Sequence, residues 1–166
     1  QDIHRYVVEQ YSSQIDEGEE YYLAPYSIKK KNSGNVYGLI FGSKHPLGME
    51  KFLQAAWERD DITGEANFDL YGDLEKGDQL SFFTEFVHLR KVDKFAKELR
   101  LSVLSKELKT DADIYLYSLK RGFINMHIKK VMKDLVSSGL IESTKGFKFT
   151  YQSIKSGRQP RSIVIC

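Results

Sequence analysis

Three amphipathic segments lie close together in the second half of this 166-residue chain, and they constrain its fold more than any other pattern. Apolar residues recur at helical spacing over residues 92–104, 111–121 and 126–138, which predicts three helices joined by short turns. Strand-like sequence over residues 147–151 and 162–165 then predicts a β-hairpin. Two helices, a short turn, a third helix and a hairpin, in this order, form the arrangement of a winged helix-turn-helix domain.

Residue types at the ends of these segments support the helix boundaries. Thr110 is a preferred N-cap residue, and Asp111 and Asp113 follow it in the first turn, where the helix dipole favours acids. Asn125 is the N-cap candidate for the third helix, and Gly139 is a typical stop signal. The third helix carries one apolar stripe opposite a lysine-bearing face, so we expect that face to be exposed.

The first 60 residues predict a smaller set of elements. Helical spacing over residues 2–15 is followed by two strand-like segments, 20–30 and 36–43, separated by a turn that contains Asn and Gly. The second segment is almost wholly apolar, which is typical of a strand covered on both faces, so we expect it to be central in its sheet. A helix over 47–59 follows, and the acidic, glycine-rich stretch 60–79 predicts a connection.

Basic residues are concentrated at one end of the chain. Residues 120–166 hold ten Lys and Arg against two Asp and Glu, whereas the preceding 119 residues hold fifteen Lys and Arg against twenty-one Asp and Glu. Such a distribution attracts a polyanion to one end of a molecule and repels it from the rest. The basic end contains the predicted third helix and hairpin.

A winged helix that binds DNA places its third helix in the major groove and its hairpin beside the neighbouring backbone. Both elements need cations for phosphates, and the helix can add amides for bases. The candidate nucleic-acid-binding residues are Asn125, Lys129, Lys130 and Lys133 on the helix, and Lys145, Lys148, Lys155, Arg158 and Arg161 on the predicted wing. Because lysines predominate, we expect phosphate contacts to outnumber base contacts, with Asn125 as the side chain of bidentate geometry.

Other interpretations of the same residues stay open. Exposed lysines are usual on the outer face of any soluble helix, and a basic winged helix can instead join an acidic protein partner as an adaptor. Tyr115 and Tyr117 could stack on bases, but at i and i+2 they point in different directions, so at least one belongs to the core. His45, before Pro46, indicates either a catalytic base or a residue that shapes the corner between strand and helix.

The sequence excludes several classes of site. Cys166 is the only cysteine, so neither an internal disulfide nor a thiolate metal site can form. No apolar run approaches the roughly 18 residues of a membrane span, and no signal peptide opens the chain, so a cytoplasmic location is expected. No Walker loop, GxGxxG turn or HExxH helix is present, and the four histidines lie far apart. We therefore expect no catalytic, metal-binding or cofactor-binding residue in this chain.

Two parts of the chain resemble the three-Cys-motif partner protein family (TcmP). The segment VYGLIFGSKHP at Val36–Pro46, with the helix after it, is similar to the family's Y-x-L-I-F-x-S/T-K-H-P-x-G segment. TDADIY at Thr110–Tyr115, Gly122 with Phe123, and KDLVSSGLI at Lys133–Ile141 resemble the winged helix that closes those proteins. The helix and hairpin of the first half also resemble the end of a class I S-adenosylmethionine-dependent methyltransferase domain, whose last strand runs antiparallel.

The resemblance covers essentially the whole chain, as the C-terminal part of such a protein, and a start at Gln1 within a helical pattern is in keeping with a fragment. It implies an α+β chain in which residues 1–60 end a methyltransferase-like α/β domain, 61–79 form a linker and 80–166 form the winged helix-turn-helix domain. It also implies S-adenosylmethionine as a cofactor of the parent protein, and an iron–sulfur protein with three cysteines as its partner. The glycine-rich loop and the acidic ribose-binding residue of a methyltransferase belong to earlier strands. This chain would then complete the sheet and present the substrate.

Overall fold

The computed structural model describes residues 21–29, 36–59 and 91–166, together with single positions at 7, 10, 11, 61 and 64. It is an α+β arrangement of helices with a small two-stranded antiparallel sheet. The elements are strands β1 (Tyr22–Lys29) and β2 (Val36–Ser43), helices α1 (Pro46–Arg59), α2 (Lys91–Leu104), α3 (Asp111–Lys120) and α4 (Asn125–Ser137), and a 3₁₀ turn (Tyr151–Ser153). None of the described helices is long and apolar enough to cross a membrane.

The helices predicted over 47–59, 92–104, 111–121 and 126–138 are confirmed to within one residue at each end. Their apolar stripes meet in one continuous core, to which every one of the four contributes. Burial of each large aliphatic side chain of this core stabilises the fold by about 1.5–3 kcal/mol. Its most deeply buried members on the last three helices are Leu99, Val103, Ile114, Leu119, Ile128, Met132 and Leu135.

The predicted hairpin is confirmed, with Tyr22 opposite Ser43 at one end of the pairing and Lys29 opposite Val36 at the other. Packing is uneven between its strands. Tyr22 and Ala24 of β1 are buried in the core, but Tyr37, Leu39 and Ile40 of β2 are exposed. The expectation that β2 is covered on both faces is therefore wrong for the described residues. Among the described residues the sheet has two strands. Strand β2 packs on α1 mainly through Phe41, whose ring stacks on that of Phe52 with centroids 4.2 Å apart.

The start of α3 confirms the predicted cap. Thr110 Oγ1 accepts the Asp113 N–H at 3.1 Å, and Asp113 Oδ2 accepts the Thr110 N–H at 2.9 Å, which together form a capping box. The cap predicted for α4 is wrong, because Ile124 is the N-cap and Asn125 is the first helical residue. The Ile124 N–H instead donates to Nδ1 of His127 at 3.4 Å, so the histidine ring supplies the acceptor at this helix start.

The hairpin predicted for the C-terminal segment does not form as a β-ladder. Residues 147–151 contain no strand and lead into the 3₁₀ turn, although their sequence alternates with period two. The described pairing of this region is limited to two isolated antiparallel bridges, Thr110 with Ser162 and Ile141 with Ile165. The physical reason is that backbone N–H groups of this segment donate to buried carboxylates rather than to a neighbouring strand.

Some predicted elements lie outside the described residues. They are most of the helix over 2–15, nearly all of the linker 61–79, and residues 80–90 of the winged helix-turn-helix domain.

Candidate nucleic-acid interface

The lysines predicted for contact with nucleic acid lie on the outer face of α4. Lys129, Lys130 and Lys133 are all exposed, as is Met126 at the start of the helix. The opposite face is held in the core, with Ile128 fully buried. None of the three lysines forms an ion pair with a carboxylate of the described residues. Their charges are therefore available to an anionic partner.

Asn125 does not present the geometry expected of a base-reading residue. Its Oδ1 is buried and has no hydrogen-bond partner among the described residues. A bidentate contact with adenine needs both amide atoms exposed, and this conformation exposes at most one of them. Phosphate contact by the lysines is accordingly better supported than base readout by Asn125.

An open cleft separates α4 from the segment that follows it. We call it the basic cleft; its volume is about 560 Å³. It is lined by Lys129, Met132, Lys133, Val136 and Ser137 of α4 and by Ser143, Thr144, Phe147 and Phe149 across from them. Two cations and three hydroxyl groups thus share a cleft whose other surface is apolar, which suits a ligand with an anionic group and an apolar one.

The far wall of the basic cleft is a tight turn. Ser143 Oγ accepts the Lys145 N–H at 3.1 Å, and the Phe147 N–H donates to the Thr144 carbonyl at 3.1 Å. Gly146 has a φ of +80°, and a Cβ there would lie 2.9 Å from Cζ of Arg161, so the guanidinium packs directly on this turn. Of the predicted wing residues, Lys145 therefore lies in the turn that faces α4 and Arg161 packs on it, but neither side chain lines the basic cleft.

Arg158 is not available for phosphate contact, contrary to the prediction. Its guanidinium pairs through both Nη atoms with the carboxylate of Asp111, and Nη1 also donates to the Ser153 carbonyl at 3.0 Å. Asp111 is completely buried and also accepts the backbone N–H groups of Lys148 and Arg161, each at 2.9 Å. Burial raises the pKa of Asp111, but the hydrogen bonds from Arg158, Lys148 and Arg161 outweigh it and hold that pKa below its ordinary value.

The remaining predicted residues are exposed but lie apart from the cleft lining. Lys130, Lys148 and Lys155 do not line the basic cleft. Lys148 follows Phe147 directly, and its side chain remains exposed while its backbone is bonded to Asp111. Lys155 lies beyond the 3₁₀ turn.

A second buried carboxylate joins the N-terminal and C-terminal parts of the described chain. Glu50 of α1 accepts the Tyr115 hydroxyl at 2.9 Å, the Tyr151 N–H at 2.7 Å and the Gln54 amide at 3.2 Å. Burial, and then the hydrogen bond to Glu50, raise the pKa of Tyr115 well above its usual range. Tyr115 is thus the core member of the tyrosine pair, whereas Tyr117 stays partly exposed with the Arg121 guanidinium 3.5 Å from its ring centroid.

An aromatic cluster supports the start of α4. The His127 ring lies 4.1 Å from Trp57 and 5.2 Å from Phe123, measured between centroids, and Trp57 Nε1 donates to the Gly122 carbonyl at 2.8 Å. Burial lowers the pKa of His127 to about 4, and the charges of Lys91 and Lys130 act in the same direction. The histidine is therefore neutral at physiological pH and acts as a packed acceptor, not as a cation for phosphate.

The lowered pKa values of His127 and Asp111 predict that the folded protein loses stability in two steps as the pH falls. Between about pH 6.5 and about pH 4 the unfolded chain binds a proton at His127 that the folded chain excludes, so stability falls across that window by about 3 kcal/mol. Asp111 adds a further loss as the pH falls from 3.8 through its lower folded pKa. Urea unfolding followed at several pH values by fluorescence of Trp57, the single tryptophan, measures both steps. A His127→Gln variant should lose the first step alone; the same slope in that variant would contradict the assignment.

The corner between β2 and α1 shows His45 as a structural residue. Its Nδ1 accepts the Leu47 N–H at 3.2 Å, and its carbonyl accepts the N–H groups of Gly48 and Met49. Ser43 Oγ accepts the His45 N–H at 3.0 Å. The first amides of α1 are thus occupied by the protein itself. This corner therefore offers no free N–H group at residues 47–49 to a ligand such as S-adenosylmethionine.

Among the described residues, no group of three or more His, Cys, Asp or Glu side chains could hold a metal ion. Scans against protein-family models, curated proteins and solved structures found no match to this chain.

Sequence patterns do not identify the two buried carboxylates that hold the C-terminal segment. The pattern predicts only a helix-dipole role for Asp111 and no role for Glu50. The spacing of the α1 stripe could have indicated Glu50, because it lies beside Met49 and one turn before Leu53 and thus on the buried side. The alternation over residues 147–151 predicts a strand that includes Phe147, and no local pattern indicates that Phe147 lines a cleft.

Proposed function

We propose that residues 91–166 act as a winged-helix unit that binds nucleic acid, with DNA favoured, mainly through phosphate contacts. The supporting observation is the basic cleft, in which Lys129 and Lys133 of α4 lie across from a turn that contains Lys145 and on which the Arg161 guanidinium packs. In this proposal α4 lies against the nucleic acid, and the turn takes the position of a wing. The wing is held by buried carboxylates instead of by a β-ladder.

The electrostatics of this surface suit a polyanion. Each lysine that neutralises a phosphate releases condensed counterions, so binding is expected to weaken with added salt. We expect these phosphate contacts from five lysines whose side chains are exposed and form no ion pair with a described carboxylate. They are Lys129, Lys130, Lys133, Lys145 and Lys148. Contacts of this kind position a protein on nucleic acid without reading its sequence.

Charge reversal at two cleft lysines tests the proposal. We expect Lys129→Glu with Lys133→Glu to weaken binding to a short DNA duplex at least about tenfold at low salt, and to flatten the salt dependence by about one unit of slope for each lost phosphate contact. The matched control is Lys94→Glu with Lys97→Glu, which makes the same charge change at exposed positions of α2. Fluorescence anisotropy over a salt series measures affinity and slope together.

The control decides how the result is interpreted. Unaltered binding by the α4 variant, or equal weakening by both variants, would refute an interface on α4. An absence of DNA and RNA binding, together with a protein partner captured in the presence of nuclease, would favour the adaptor function instead.

A second proposal follows from the exposed strand β2. We infer that the hairpin belongs to a methyltransferase-like sheet of a protein resembling the three-Cys-motif partner family, in which helices packed on the faces of the sheet cover Tyr37, Leu39 and Ile40. The support is that three large apolar side chains, projecting from both faces of β2, are exposed in the described structure. Calorimetric titration of S-adenosylmethionine into the protein as its gene encodes it tests this function. A lack of binding would remove the methyltransferase proposal.

A further inference from the structure

We propose that the basic cleft binds an unpaired nucleotide, with its base against Phe147 and its phosphate at Lys129 and Lys133. This inference rests on the proposed nucleic-acid binding and names the form of nucleic acid that the site prefers. A duplex keeps its bases stacked and paired, so only a single-stranded tail, a bulge or an unstacked end offers a base that can enter the cleft.

The size and lining of the cleft match one nucleotide. A volume of about 560 Å³ lies in the range of small-ligand sites, about 300–1,000 Å³. Its apolar surface includes Phe147, and aromatic rings are the usual stacking platforms for unpaired bases. Lys129 and Lys133, one turn apart on α4, supply the positive charge that a phosphate attached to such a base requires.

Hydroxyl groups on both walls can meet the polar edge of a base. Ser137 Oγ donates to the Asp134 carbonyl at 3.0 Å, and Ser143 Oγ accepts the Lys145 N–H at 3.1 Å. A hydroxyl has one donor and two acceptor positions, so each of these groups keeps capacity for a further hydrogen bond. The cleft thus combines an aromatic wall, polar groups and cations.

The aromatic wall is fixed by bonds on both sides of Phe147. Its own N–H is held by the Thr144 carbonyl, and the next residue, Lys148, donates its N–H to buried Asp111. Phe149 is buried and meets the Phe147 ring edge-on, with centroids 6.0 Å apart. Because this wall is already ordered, ligand binding costs little additional conformational entropy there.

The test compares three DNA ligands: a blunt duplex, the same duplex with a single-stranded tail, and a duplex lengthened by as many base pairs as the tail has nucleotides. We expect the tailed duplex to bind about tenfold more tightly than either blunt one, the gain typical of one stacked base. Phe147→Leu should remove that gain, because leucine preserves apolar packing and lacks the ring. The measure is the ratio of the affinities for the tailed and the lengthened duplex in the same variant, so any change in duplex binding itself cancels. Circular dichroism checks that the variant is folded.

The outcomes separate this inference from the proposed function. Equal affinity for tailed and lengthened duplexes, or an unchanged tail preference in Phe147→Leu, would overturn the nucleotide site while binding to duplex DNA remained. If none of the ligands bound, both the site and the proposed function would be refuted. If Lys129→Glu with Lys133→Glu weakened all three ligands and Phe147→Leu removed the preference for the tailed duplex over the lengthened one, both proposals would be supported.

Discussion

Asp111→Ala is expected to lower the free energy of unfolding by about 3–5 kcal/mol. The carboxylate is completely buried, and its removal leaves the Arg158 guanidinium without its counter-charge. The backbone N–H groups of Lys148 and Arg161 lose their acceptor at the same time. An unpaired cation and two unpaired donors in a low-dielectric site account for the size of the loss. Urea unfolding monitored by Trp57 fluorescence measures it.

Two further variants show whether the loss of stability comes from the unpaired guanidinium of Arg158. Adding Arg158→Met to Asp111→Ala should regain part of the stability, because the second change removes the unpaired charge. Asp93→Ala, at an exposed position in the first turn of α2, should cost less than about 1 kcal/mol, since only a helix-dipole interaction is lost. Equal losses for Asp93→Ala and Asp111→Ala would contradict the assigned role of Asp111.

Glu50→Ala is expected to lower the free energy of unfolding by about 2–4 kcal/mol, because one buried and one partly buried donor lose their acceptor. The Tyr115 hydroxyl and the Tyr151 N–H both point at Oε2 of Glu50, so neither has another partner when the carboxylate is removed. Glu50→Gln keeps one acceptor oxygen and should cost less. Thermal or urea unfolding of the two variants gives the comparison.

Glu98→Ala is the matched control for Glu50. Glu98 also lies on a helix, but its ion pair with Arg121 spans 3.7 Å between side chains that are each 43% exposed. Pairs of this kind contribute about 0–1 kcal/mol. If Glu98→Ala destabilised the protein as much as Glu50→Ala, burial of the Glu50 carboxylate would not explain the effect.

Short-range patterns predicted the helices and the first hairpin because the groups that determine them are close in the sequence. The Thr110 cap acts over three residues, and the α4 stripe repeats within one or two turns. The same kind of pattern identified the exposed lysines Lys129, Lys130 and Lys133. These features depend on residues close together in the sequence, so the sequence predicts them without information on distant contacts.

The C-terminal segment could not be predicted in this way, because its backbone partners are distant. Lys148 meets Asp111 across 37 residues, and Tyr151 meets Glu50 across 101. The alternation over residues 147–151 predicted a strand, but Asp111 and Glu50 accept backbone N–H groups that would otherwise pair with a neighbouring strand. The prediction for Arg158 is wrong for the same reason, because its buried partner Asp111 is 47 residues away in the sequence.

The bond from Tyr151 to Glu50 has a consequence for the order of folding during synthesis. The ribosome delivers Glu50 about a hundred residues before the backbone group that completes its environment. We therefore expect the Glu50 carboxylate of α1 to remain incompletely hydrogen-bonded, and the core around it to close only when Tyr151 has emerged. A nascent chain stalled before Tyr151 would be a substrate for chaperones and proteases, and we expect resistance to them only after Tyr151 has emerged.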